Sequence, residues 1–257
     1  MTTEYFPKIT SEQTRKSKIE QLEKELFVRE VPQEYFKLID NICLVIAKSP
    51  YSDYLCEKLE RDPNAYLPFL TEKIKDGTVL DLACGESWAV EDLVKELHSK
   101  MYIGVDLDPA TSRPVYRGSV ERKYEWSGPN DNIVINDGPR TLEQKQNNET
   151  VEIVRLIDDE KNGNRSIRVK SDMLKFISRL KDNSINAVII SAVEGRGITE
   201  INDQYLDALE KEIQRVLKEK GICIVYESEI GGLELNKIME INILGNRKCR
   251  IYEKQVE

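Results

Sequence analysis

Two acids, each at the end of an apolar run, carry the most chemistry in this 257-residue chain. Val79-Leu80-Asp81-Leu82 leads into the small-residue turn Ala83-Cys84-Gly85-Glu86-Ser87, and then into a helical pattern of Val90, Leu93, Val94 and Leu97. A second run, Met101-Tyr102-Ile103-Gly104-Val105, follows and ends in Asp106-Leu107. Strand, tight turn, helix, strand, acid is the first half of a nucleotide-binding βαβ unit. A turn without large side chains lets a ligand approach the backbone closely. A carboxylate at the tip of the second strand can accept both hydroxyls of a ribose, and its charge strengthens those bonds.

Two later segments could supply further groups. Ser171-Asp172-Met173 follows a strand-like run at 166–170, and Asp172 is a good helix N-cap in its own right. Ser191-Ala192-Val193-Glu194-Gly195-Arg196-Gly197 closes another run, Ile185 to Ser191. Glu194 could serve there as a general base or bind an amine, and Arg196 could hold an acidic acceptor. A polar loop with two glycines explains the same residues equally well. Trp88 reads as packing.

The sequence D-L-A-C-G-E-S resembles the first motif of the class I S-adenosylmethionine-dependent methyltransferases, and Y-I-G-V-D-L-D-P resembles their second-strand motif. The usual first motif has glycine where this chain has Ala83 and Ser87, so only Gly85 matches. The resemblance implies S-adenosylmethionine as cofactor. Asp81 would then lie near its amino-acid moiety, and residues 83–87 would line the methionine and ribose path. Asp106 and Leu107 would sit at the ribose, Asp172 and Met173 at the adenine, and Ser191 beside the reacting methyl group. Glu194 is the candidate catalytic base.

The elements that must position these residues follow from periodicity. Residues 11–29 read as a charged helix, 32–48 as a stronger amphipathic one, and 52–60 and 63–75 as two short helices. Strands are expected at 78–82, 102–106, 166–170, 185–191 and 222–226, with helices near 87–99, 172–180 and 202–219. Gly221 reads as the stop of the last helix. Ile238–Leu244 and Lys248–Tyr252 read as a closing hairpin around Gly245-Asn246. Between Arg113 and Arg165 no convincing amphipathic helix occurs; strand-like runs (132–135 and 151–157) and turn signals take its place. The expected fold is therefore a doubly wound, mostly parallel seven-stranded sheet of the Rossmann-like methyltransferase type. Its parts would be an N-terminal helical cap at 1–77, a cofactor-binding domain at 78–257, and a β-rich insertion at about 113–165. The insertion is expected to be a lid or a surface for homo-oligomerisation. Tyr35, Phe36 and the segment after Pro50 are expected to face Glu194 and Arg196 across an acceptor pocket.

Composition narrows the function. The net charge is −8, and the short basic clusters are offset by nearby acids, which argues against a nucleic-acid substrate. A single histidine and the absence of any CxxC pair among five cysteines argue against a metal centre and against histidine-based catalysis. No apolar run approaches the roughly 20 residues that cross a bilayer. With a polar N-terminus, the chain reads as cytoplasmic. No N/D-P-P-Y/F sequence or Pro-Cys nucleophile occurs, and a nicotinamide enzyme is disfavoured by the missing G-x-G-x-x-G. The expectation is methyl transfer to a small or medium-sized acceptor. The alternative is a non-catalytic methyltransferase-like protein that binds the cofactor or regulates.

Overall fold

The computed structural model describes residues 12–40, 63–85, 88–107, 109, 151–159, 163–191, 203–226, 230, 233–242 and 248–256. Eight strands form one sheet: β1 (Thr78–Leu82), β2 (Met101–Asp106), β3 (Glu152–Asp159), β4 (Asn164–Lys170), β5 (Ile185–Ser191), β6 (Leu217–Tyr226), β7 (Asn236–Asn242) and β8 (Lys248–Glu253). Their order is β3-β4-β2-β1-β5-β6-β8-β7. The block β4-β2-β1-β5-β6 is parallel throughout, β3 is antiparallel to β4, and β8 is antiparallel to both β6 and β7.

Six helices belong to the described residues: α1 (Glu12–Leu26), α2 (Gln33–Asp40), α3 (Pro63–Ile74), α4 (Ala89–Glu96), α5 (Met173–Ile177) and α6 (Asp203–Val216). They cover both faces of the sheet. On one face Leu22 of α1, Ile39 of α2, Phe176 of α5 and Ile213 of α6 join Leu80, Leu82, Ile103 and Val105 in one core. On the other, Ile74 of α3 and Val90 and Val94 of α4 join Val79, Tyr102, Ala187 and Ile222. Successive strand side chains point to opposite faces, so a central strand buried on both sides must be apolar almost throughout. The runs at 79–82 and 101–105 meet that demand, with Asp81 and Gly104 as the exceptions.

The doubly wound α/β architecture agrees with the sequence reading, and the strand count does not. The sheet is mixed and has eight strands instead of seven. The added strand is β3, from the segment assigned to the insertion. Its Ile153 and Leu156 pack on the core, and it folds back on β4 through a turn at Gly163, whose φ is +68°. Antiparallel pairing needs only such a short turn, so this end of the insertion extends the sheet. The run at 132–135 and the insertion's remaining turn signals lie outside the described residues, as do the helix expected at 52–60 and the second half of that at 32–48.

Two boundaries also differ. Helix α6 ends at Val216, five residues before Gly221. Gly221 lies inside β6, where a Cβ would meet the Lys218 carbonyl oxygen at 2.8 Å, so close backbone approach is its reason for being glycine. Helix α5 stops at Ile177, because Leu180 already bridges to Phe27.

Candidate functional site

Chain direction defines where a ligand can sit. From β1 the chain passes through α4 to β2 on one side, and β5 later takes the place on the other side of β1. A reversal of strand order opens a crevice beyond the carboxyl ends of the strands at that point. The described members of the residue set singled out from sequence stand at these ends. Ala83, Cys84 and Gly85 follow β1, Asp106 and Leu107 end β2, Asp172 and Met173 follow β4, and Ser191 ends β5. Glu86, Ser87 and Glu194 lie outside the described residues.

The turn after β1 is pinned from three directions. Cys84 N donates to the Val105 carbonyl at 3.1 Å. Gly85 N donates to Asp106 Oδ2 at 3.0 Å. Arg168 Nη1 donates to the Gly85 carbonyl at 3.1 Å. Ala83 and Gly85 both take left-handed conformations, with φ of 61° and 51°. Gly85 does so without penalty, whereas Ala83 stores about 1–2 kcal/mol of strain where the resembling motif has glycine. Apart from its own chain neighbours, no described heavy atom stands within 4 Å of the position a Cβ on Gly85 would occupy. Adjacent strand ends are tied as well, since Ser171 N donates to the Asp106 carbonyl at 2.9 Å.

Beneath the turn runs a buried polar rung. Asp81, Gly104, Arg168 and Arg155 are consecutive partners across β1, β2, β4 and β3. Gly104 is the gap in that rung: a Cβ there would stand 2.9 Å from Tyr102 Oη and 3.0 Å from Cys84 Sγ. Through the gap Tyr102 Oη donates to Asp81 Oδ2 at 2.7 Å. Asp81 Oδ1 is buried and has no hydrogen-bond partner among the described residues. Burial drives the Asp81 carboxyl up to about 7, against the pull of the Tyr102 hydroxyl and the Arg168 charge. Burial, followed by the charges of Asp81 and Asp106, pushes the Cys84 thiol well above its usual value, which disarms it as a nucleophile.

The other half of the rung centres on Glu91 in the first turn of α4, whose side chain is fully buried. Arg155 Nη1 reaches both of its oxygens at 3.1 and 3.2 Å, and Arg168 donates through Nε and Nη2 at 3.3 Å. Ser166 Oγ and Lys95 Nζ each donate at 2.7 Å. Both guanidiniums stack on Trp88, at 4.4 Å for Arg155 and 4.1 Å for Arg168. Burial alone would raise the Glu91 carboxyl; the donors Lys95 and Ser166 and the Arg155 charge outweigh it and bring it to about 2. Sequence reading missed this cluster, although it left two signals. Gly104 interrupts an apolar strand, which marks a close approach. In β4, Ser166 and Arg168 alternate with Ile167 and Val169, which marks one polar face.

Asp172 caps α5. Its Oδ1 accepts from Lys175 N at 2.9 Å, and its Oδ2 accepts from Tyr205 Oη at 2.9 Å. Burial raises its pKa. Met173 is buried in the core with Phe176 and Leu174. The geometry therefore supports the capping role that Asp172 offered on sequence grounds.

Tyr35 does not stand where the expected acceptor wall needs it, while Arg196 and the segment after Pro50 lie outside the described residues. Tyr35 Oη donates to Glu212 Oε1 at 3.0 Å, and Arg215 ties the same corner to the Leu180 carbonyl at 2.7 Å. Residues 180–184 enter β5 and residues 212–216 enter β6, so Tyr35 sits at the amino edge, opposite the turn. A cleft of about 390 Å³ between α1 and the β3–β4 hairpin, lined by Lys18, Leu22, Glu25 and Arg165, also lies at the amino end of β4.

No family model matches the chain, and no curated protein matches it. Solved structures that resemble it in outline include yhhF of Escherichia coli, assigned as a methyltransferase. It is 16% identical, with 77% of this chain and 86% of that chain covered and a TM-score of 0.44. The N-methyltransferase NodS of Bradyrhizobium japonicum WM9 is 12% identical, with 77% and 97% covered and a TM-score of 0.41. Phosphoethanolamine N-methyltransferase 2 of Haemonchus contortus, in complex with S-adenosyl-L-methionine, is 14% identical, with 71% and 30% covered and a TM-score of 0.33. These likenesses concern the course of the chain alone. No described helix is long and apolar enough to cross a membrane.

Proposed function

We propose that this chain binds S-adenosylmethionine at the carboxyl ends of β1, β2 and β5 and transfers its methyl group to a small or medium-sized acceptor. One observation carries the reading: Asp106, at the tip of β2, holds the amide of Gly85 in the small-residue turn at the strand-order reversal. A carboxylate offers about four acceptor positions, so bonding the Gly85 amide is compatible with accepting ribose hydroxyls. The lack of described atoms against Gly85, beyond its chain neighbours, suits the approach of a nucleoside, and the buried Asp81 Oδ1, without a hydrogen-bond partner among the described residues, suits a cationic or hydrogen-bonding ligand group nearby.

When bound, the cofactor supplies a sulfonium-activated methyl group. The residues present would hold and align it: Asp106 and Leu107 at the ribose, residues 83–85 along the methionine path, Ser191 beside the reacting methyl group. Alignment of nucleophile and methyl is the main contribution an enzyme makes to such a displacement. Glu194 remains the candidate base for acceptors that must lose a proton.

The test is titration of the full chain with S-adenosylmethionine and S-adenosylhomocysteine by calorimetry. Saturable binding of both is expected. No heat and no thermal shift at millimolar ligand would overturn the reading. A second reading, binding without transfer, is favoured by Ala83, which stands with positive φ where the resembling motif has glycine, and by the lack of a recognisable catalytic motif. Tight cofactor binding with no methyl transfer across amine, hydroxyl, thiol and carboxylate acceptors would select it.

A further inference from the structure

Arg168 stands apart from the other basic residues of the sheet. It is on β4, two strands away from the turn, its side chain is fully buried, and it serves two masters at once. Nε and Nη2 point at Glu91, and Nη1 points at the Gly85 carbonyl. The rung explains how it reaches so far. Its partner on β2 is Gly104, so β2 itself puts no side chain between Arg168 on β4 and Asp81 on β1 at this rung, and the space is shared by the Tyr102 hydroxyl and the Cys84 thiol. Trp88 supports the plane of the guanidinium from the start of α4.

Gly85 is thereby held on both of its peptide groups. Its N–H is fixed by Asp106 of β2 and its C=O by Arg168 of β4. A glycine with positive φ, two residues after an alanine with positive φ, has little intrinsic reason to stay in one conformation. Both anchors are charge-assisted, and one is supplied from a fully buried side chain.

We infer that Arg168 is a positioning residue for the ligand-binding turn: through the Gly85 carbonyl it sets the backbone conformation that the nucleoside cofactor meets. The inference rests on the proposed function for the identity of the ligand, and on geometry alone for the hold on the turn. Only a planar fork can bond Glu91 and the Gly85 carbonyl while lying on Trp88. Lysine at this position keeps the charge opposite Glu91 and loses the fork.

The experiment compares the full-length wild type with Arg168→Lys. Two quantities are read: amide hydrogen exchange at Gly85 relative to Leu80 in β1, and affinity for S-adenosylhomocysteine. In the variant, Gly85 exchange should rise by about tenfold relative to Leu80, and affinity should fall by about tenfold, the effect of one lost charge-assisted hydrogen bond. A purely structural arginine would lower the melting temperature and leave the Gly85-to-Leu80 ratio unchanged; that result overturns the inference. So does unchanged affinity in a variant whose wild type binds. Absence of binding in the wild type would remove the proposed function, and the exchange ratio would still decide whether Arg168 holds the turn. Should R168K fail to fold, Trp88→Leu answers in its place. It keeps both charges and frees the guanidinium plane, and an unaltered Gly85 ratio there counts against the inference.

Discussion

At the scale of single residues, two carboxylates near the turn behave in opposite ways. Asp106 is half-buried and gives one oxygen to the Gly85 amide. Asp106→Asn keeps an acceptor for that amide and loses the charge, whereas Asp106→Ala loses both. Cofactor affinity should therefore fall in both, by about 1.5–3 kcal/mol or more in the alanine variant and by less in the asparagine one. Calorimetric titration of the pair checks the order, and equal losses would mean that the Gly85 contact is irrelevant to binding. Asp81 is buried, with a folded-state pKa near 7 against a usual value of 3.8. A raised carboxyl means that the folded state holds the proton more tightly, so stability is fully present below about pH 4 and declines as pH rises toward 7. Asp81→Asn should abolish that decline, which is on the order of a few kcal/mol. Urea denaturation at pH 4.5 and pH 8 reads it directly.

The same residues show how far sequence reading reaches. The turn, Asp106 and Asp81 were legible because local spacing alone defines strand, turn and acid. Arg168 was not, since its partners Gly85 and Glu91 lie 83 and 77 residues away in sequence. Asp172 fitted two roles on paper, and only the appearance of Tyr205 from α6 decides which groups its oxygens meet.

Among elements, α4 and β4 are joined by a buried ion cluster more than by apolar contact at this point of the sheet. Removing Glu91 as Glu91→Ala takes away the buried carboxylate that both Arg168 and Arg155 bond. The loss should be about 3–5 kcal/mol, the usual result of stranding a buried charge. Glu91→Gln, which keeps the shape and part of the hydrogen bonding, should cost less. The Glu91 carboxyl sits near 2 when folded and near 4.5 otherwise. A lowered carboxyl gives stability that is present above about pH 4.5 and lost as pH falls toward 2, the reverse of Asp81. Glu91→Gln should flatten the acid limb of the stability profile and Asp81→Asn the neutral limb. Chemical denaturation of both variants from pH 3 to pH 8 separates them.

Element identity was readable wherever periodicity is strong. Strands at 78–82 and 185–191 fall where alternation and apolar runs placed them. The edge strand β3 is legible as a strand, but the sequence does not say that it joins the main sheet. Nothing local says whether a strand joins a neighbouring sheet or a separate lobe. That depends on which face its Ile153 and Leu156 find, and the answer comes from the whole core. The stop of α6 was misplaced for a related reason: a glycine after a helical pattern looks like a C-cap, and Gly221 is instead required by backbone crowding within β6.

For the whole molecule, helices on both faces leave the two edges of the sheet with different work. The amino edge is closed by hydrogen bonds among Tyr35, Glu212, Arg215 and the segment before β5. Burial and the neighbouring Glu212 charge lift the Tyr35 hydroxyl to about 12, so it stays a neutral donor there. The carboxyl edge carries the pinned turn and Ser191. Tyr35 therefore stands away from the carboxyl side, where the proposed function places the acceptor. Doubly wound topology was legible from the alternation of runs, whereas the assignment of each N-terminal helix to a face was not. Helices α1 and α2 lie on one face and α3 on the other, a choice made by side chains such as Leu22 and Ile74 that look alike in sequence.

The hold of Arg168 on Gly85 also has a kinetic meaning. The strap that shapes the turn comes from a strand that the chain supplies only after residue 163 and that must first dock beside β2. Contacts of such sequence separation form late, because the intervening loop must be closed before they can contribute. Local structure in β1, α4 and β2 can assemble well before the turn reaches its working shape. In stopped-flow refolding, competence to bind S-adenosylhomocysteine should accordingly trail the recovery of far-ultraviolet ellipticity, and the lag should lengthen in Arg168→Lys. A chain emerging from the ribosome would pass through a stage in which the turn and its flanking strands are complete in sequence and the turn is still without its Arg168 anchor.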